Sequence, residues 1–175
     1  MKYILIGFLL IFLDFNINLT SSTLELIPDF IGDIVMVNGL TEMARENYQF
    51  IKVKPYAIGM AVYTGILYFL DFAGITGSFG VFGYILVIAT IVVSLYISYG
   101  IVMGVQEMEL KYHTFLNGEN LKSMWYFLAA CSASAFFAMV IPTLAAVFLI
   151  LGLIAAISFL VAFNKSKNLY YEIYR

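Results

Sequence analysis

Apolar residues run along this chain in long blocks separated by short polar patches, and the block lengths predict helices that cross a bilayer. A crossing takes about 20 apolar residues at about 1.5 Å each. Residues 56–72, 79–105, 123–141 and 143–163 meet this requirement, the last two as one stretch too long for a single pass and close to two. Ile141-Pro142-Thr143 marks the turn between them, because proline cannot continue a helical hydrogen-bond ladder. Residues 3–19 predict a further span. Residues 28–43 predict a short one, which opens on a helix-start pattern with Pro28 at the first helical position and Asp29 in the first turn. Lys2 ahead of an apolar run also has the pattern of a secretory signal peptide with cleavage near Thr20-Ser21-Ser22. A retained helix is the expectation, since Asp14, Asn16 and Asn18 interrupt the cleavage region and no A-x-A precedes it. The expected fold is all-α, an integral membrane bundle of about six transmembrane helices with short outer turns. It forms one unit over residues 1–163, followed by a tail over 164–175.

Composition supports lipid as the solvent: 63% of residues are hydrophobic and 11% charged, against roughly 45–50% and about 25% in a soluble domain. Charge then orients the bundle. With six passes, the segments 1–2, 44–55, 106–122 and 164–175 share one side and hold Lys2, Arg45, Lys52, Lys54, Lys111, Lys122, Lys165, Lys167 and Arg175, which is every basic residue in the chain. The positive-inside rule places that side, and both termini, in the cytoplasm of a bacterial plasma membrane. No dense basic stripe is present to neutralise phosphates, so nucleic acid is not an expected partner.

The tetrad Phe12-Leu13-Asp14-Phe15 recurs as Phe69-Leu70-Asp71-Phe72, each time near the outer end of an outbound span, which hints at a helix-hairpin repeat. Gly100 and Gly104 make a small-xxx-small step, and residues 129–135 present a surface of Ala and Ser, both suited to close helix packing. Tyr3, Tyr56, Tyr112, Trp125, Tyr170 and Tyr171 read as interfacial anchors.

Chemistry concentrates in acids without bases. Asp14, Glu25, Asp29, Asp33 and Asp71 occupy the outer half, where no Lys or Arg lies. Asp14 falls well inside its span, and an intramembrane carboxylate is a candidate functional residue. Asp29 and Asp33, four apart, share a helix face, and their mutual repulsion would be relieved by a proton or a cation. Asn16, Asn18 and Asn38 add neutral oxygens of the kind that hard cations accept. The competing structural reading has Asp29 capping its helix, Asp71 and Glu25 in headgroups or water, and Asp14 protonated and hydrogen-bonded to a neighbouring helix. His113 is the only histidine and Cys131 the only cysteine, so zinc, haem, CxxC and disulfide chemistry have little to build from. No catalytic or nucleotide motif is found, and neither an enzyme nor a cofactor is expected.

Across Phe12-Leu13-Asp14-Phe15, Leu26-Ile27-Pro28-Asp29-Phe30-Ile31-Gly32 and Asn38-Gly39-Leu40, the chain resembles uncharacterised small polytopic integral membrane proteins of Gram-positive bacteria that begin with a comparable hairpin. The resemblance covers residues 1–55 and implies no activity. It implies an aromatic where Asp33 stands, which weights Asp14, Pro28 and Asp29 above Asp33. The leading expectation is a transport-type or solute-binding protein whose outer-half carboxylates take a cation, a proton or a cationic solute. The alternative is a non-transporting membrane partner, an assembly or regulatory subunit, that holds another protein or itself through its small-residue faces and aromatic tail.

Overall fold

The computed structural model describes residues 1–12, 16–19, 22–25, 28–74, 81–138 and 142–173. These form six helices, α1 (Lys2–Phe12), α2 (Asp29–Met43), α3 (Tyr48–Phe72), α4 (Val81–Tyr112), α5 (Gly118–Ala138) and α6 (Pro142–Ile173), with two short strands, β1 (Asn16–Leu19) and β2 (Ser22–Glu25), between α1 and α2. Among the described residues, three helical stretches are long and apolar enough to cross a membrane: Tyr48–Phe72, Ile85–Tyr112 and Ile150–Ile173. A multi-pass membrane protein follows from these three alone.

The first hairpin departs from expectation. Helix α1 is described over Lys2–Phe12, and residues 16–19, expected within the same span, lie in a strand whose Asn16 is opposite Glu25 and Leu19 opposite Ser22. Asn-Ile-Asn-Leu alternates polar and apolar residues with the period of a strand, and the Asn, Ser and Thr of the two segments are weak helix formers. Helix α2 begins close to where the proline pattern predicts, with Pro28 in extended geometry just ahead of Asp29. Pro142 likewise opens α6, where its missing N–H leaves no bond unmade.

Three other helices run further into the basic segments than hydropathy indicates. Helix α3 starts at Tyr48, capped by the Asn47 side chain, which accepts from the Gln49 amide at 2.7 Å. Helix α4 runs on to Tyr112 and α6 to Ile173, so most of the tail expected over 164–175 is helix.

Each helix packs on its neighbours in sequence, and α1 closes the set by packing on α6. Phe8 sits edge-on to Phe159 and Phe163 at that closure, with centroids 5.2 and 5.4 Å apart. Helices α1 and α2 meet through glycine: a Cβ at Gly39 would fall 2.6 Å from the backbone nitrogen of Ile4, and one at Gly7 would fall 2.9 Å from the carbonyl oxygen of Gly32. The anticipated small step on α4 is used in the same way, with Gly100 facing Val53 and Gly104 facing the Phe50 ring.

Among the described residues the buried core gathers at the end that carries the basic side chains. Met1, Met43, Phe50, Met108, Leu116, Leu121 and Phe163 are essentially inaccessible. Toward the opposite end Val62, Ile66, Phe69 and Phe72 of α3 and Ile85, Ile88 and Val92 of α4 are all exposed. Apolar side chains on this scale belong against lipid.

Candidate functional site

Helices α2 and α3 pack side by side, and their contact carries the most buried carboxylate that the sequence singled out. Asp33 is 5% exposed, and its Oδ2 accepts a hydrogen bond from the Thr64 hydroxyl at 2.8 Å. Thr64 lies in the middle of the 56–72 apolar stretch, about 12 Å along the helix from either end of it. One turn along, the Phe30 and Tyr68 rings meet at a tilt of 57° with centroids 5.6 Å apart, and Phe30 also lies against Gly65. A Cβ at Gly32 would meet Ile11 of α1. Helices α1 and α2 therefore both end within about a turn of the level of the Asp33–Thr64 pair.

The Thr64 hydroxyl has two oxygens at 2.8 Å, Asp33 Oδ2 and the Met60 carbonyl, with the Ala61 carbonyl further off at 3.5 Å. A hydroxyl donates once and accepts twice. When Asp33 is ionised, Thr64 donates to it. When Asp33 carries a proton, the acid O–H can donate to Thr64 Oγ1 while Thr64 donates to Met60. Both charge states of the acid therefore keep a hydrogen bond without any helix moving. The pair suits a group that gains and loses a proton or a cation.

The other expected residues do not join it. Asp14 lies outside the described residues. Asn16 is in β1, opposite Glu25 in the ladder. Asp29 is the first residue of α2 and is partly buried, Asn38 is exposed, and Asp71 is exposed near the end of α3, its carbonyl accepting from the Gly74 amide at 2.8 Å. Asp33, ranked below Asp14 and Asp29 by the resemblance, is the acid that the helices enclose. Thr64 had no signal of its own, because a threonine in an apolar helix ordinarily returns its hydroxyl to the carbonyl four residues back.

A groove of about 300 Å³ lies between α3 and α4, lined by Pro55, Gly59, Met60, Tyr63 and Thr90 among others. Its hydroxyls are turned inward, Tyr63 donating to the Leu86 carbonyl at 3.1 Å and Thr90 to the same oxygen at 2.9 Å. A second, open cavity of about 570 Å³ lies at the α4–α5 corner, between Glu109, His113, Asn117 and Glu119. Among the described residues no three His, Cys, Asp or Glu converge as metal ligands. Comparison of the chain with protein-family models, with curated proteins and with solved structures finds no match.

Proposed function

We propose that the chain is a six-pass transport-type protein of the bacterial plasma membrane, with both termini cytoplasmic, that takes up a proton or a small cationic species at Asp33. The observation that carries this reading is the Asp33 carboxylate, enclosed between α2 and α3 in a half of the protein that has no Lys or Arg. A charge withdrawn from water there needs a counter-charge, and its neighbour Thr64 offers only a neutral hydroxyl.

The broken first hairpin supports the same reading. The 11 residues of α1 rise about 17 Å and a four-residue strand adds about 13 Å, which together approach the ~30 Å of hydrocarbon. The first two passes are then helix in the inner half and strand in the outer half. Non-helical backbone at membrane depth is tolerated where protein covers it or water reaches it, and such breaks accompany ion and solute sites in transporters. The partner-subunit alternative has less material to work with. Gly100 and Gly104 are occupied by α3, and Tyr170 of the aromatic tail is buried in the chain's own bundle.

The test is thermal stability of purified wild type, Asp33→Asn and Asp14→Asn in one detergent, across pH and a panel of monovalent, divalent and organic cations. The wild type should gain stability with at least one of these, by about 2.7 kcal/mol at a hundredfold excess over Kd. Asp33→Asn should lose that response. A folded Asp33→Asn that responds as the wild type does would sink the proposal.

A further inference from the structure

At the cytoplasmic end, hydrogen bonds tie the helices into a belt around the apolar plug. Glu46, in the turn between α2 and α3, is its hub. The Glu46 carboxylate accepts from the Tyr112 hydroxyl of α4 at 3.1 Å and from the Tyr170 hydroxyl of α6. Its backbone carbonyl accepts from Lys111 Nζ at 3.0 Å. The Gln49 amide donates to Glu107, joining α3 to α4, and Gln106 donates to Glu119, joining α4 to α5. Inward of the belt sit Met43, Phe50, Met108 and Phe163, all buried.

One turn above, α3 carries an internal proline, Pro55, which leaves the Ile51 carbonyl without its helical donor. Gly59 follows four residues later, and a Cβ there would meet nothing within 4 Å, because the α3–α4 groove opens beside it. Proline followed by glycine is a place where a helix bends.

We infer that the cytoplasmic end is the closed inner gate of an alternating-access cycle, latched at Glu46, and that it opens by swinging the α2–α3 turn about Pro55–Gly59. The gate rests on the transport reading. To open it, Glu46 must leave Tyr112 and Tyr170, which frees the turn between Met43 and Phe50 and withdraws two large side chains from the plug.

The experiment is labelling of a buried reporter from the cytoplasmic side. In a Cys131→Ala background, Ala57→Cys places a thiol on α3 just beyond the plug, at a position wholly buried here. Inside-out vesicles are treated with a membrane-impermeant maleimide. The thiol should be protected with the latch intact and should label at least tenfold faster with Glu46→Ala. Tyr112→Phe combined with Tyr170→Phe should act in the same direction, and it carries the test if Glu46→Ala does not fold. Gly59→Ala added to Glu46→Ala should slow labelling again by stiffening the hinge. Rates within twofold of the parent for both latch variants would overturn the gate. So would an equal acceleration at native Cys131 in a chain lacking the reporter, since that would report loosening throughout. The readout involves no ligand, so a silent Asp33 and an immobile latch are separate results.

Discussion

Asp33 and Tyr170 show how two polar groups are held inside an apolar bundle by different means. Asp33 keeps a hydrogen bond in either charge state through Thr64, whereas Tyr170 is held in one state. Burial, and then the Glu46 carboxylate that its hydroxyl meets, push the Tyr170 phenol up to about 12 from an ordinary value near 10. The folded chain thus holds this proton more tightly than the unfolded chain. The stability linked to it is fully present below about pH 10 and is lost as pH rises through about 12. Ultraviolet titration should show one late-ionising phenol in the wild type that is absent from Tyr170→Phe, and melts at rising alkaline pH should diverge between the two. Coincident titrations would contradict the placement of Tyr170. Of the site, the acid was visible in the sequence as a carboxylate among apolar residues, but its rank was not. Burial depends on which face of α2 meets α3, and Asp29, one turn away on the same helix, is less enclosed.

Helix extents divide into those that hydropathy can see and those it cannot. The apolar stretches inside α3, α4 and α6 were legible because lipid exposure selects apolar residues on every face. Their extensions into the basic segments were not, since Gln106–Tyr112 and Asn164–Ile173 are largely polar, and hydropathy marks the solvent rather than the backbone. Residues 16–19 were misjudged for a related reason: they adjoin an apolar run and pass as span, while the alternation of Asn16-Ile17-Asn18-Leu19 marks a strand. Close packing was legible at Gly100 and Gly104, and it makes a paired prediction. A Cβ at Gly104 would sit 2.7 Å from Phe50 Cζ, and that ring is fully buried and cannot retreat. Gly104→Ala should cost about 1–3 kcal/mol through overpacking. Gly59→Ala, into open space, should be neutral or gain up to about 1 kcal/mol from helix propensity. Thermal melts of both in the same detergent check this, and equal melting temperatures would refute the packing described for α3 and α4.

The described residues form a ring of six helices tied at the end that carries the basic side chains, and those side chains agree with any topology that returns the chain to the same side after α2. Six passes and four passes with a half-depth first hairpin predict the same charge map, so charge alone does not decide between them. Labelling does. In the Cys131→Ala background, Thr23→Cys on β2 should react with an impermeant thiol reagent added to intact cells if the strands complete the first two passes. Protection there, with reaction only after permeabilisation, would leave the hairpin at half depth. The short α1 has a further consequence, for biogenesis. Eleven helical residues are too few to be recognised by themselves as a membrane segment. Helix α1 therefore cannot settle in a membrane on its own. It has to wait at the insertion machinery until α3 emerges, and the part of the chain that carries Asp33 takes its place only as a guest of helices made after it.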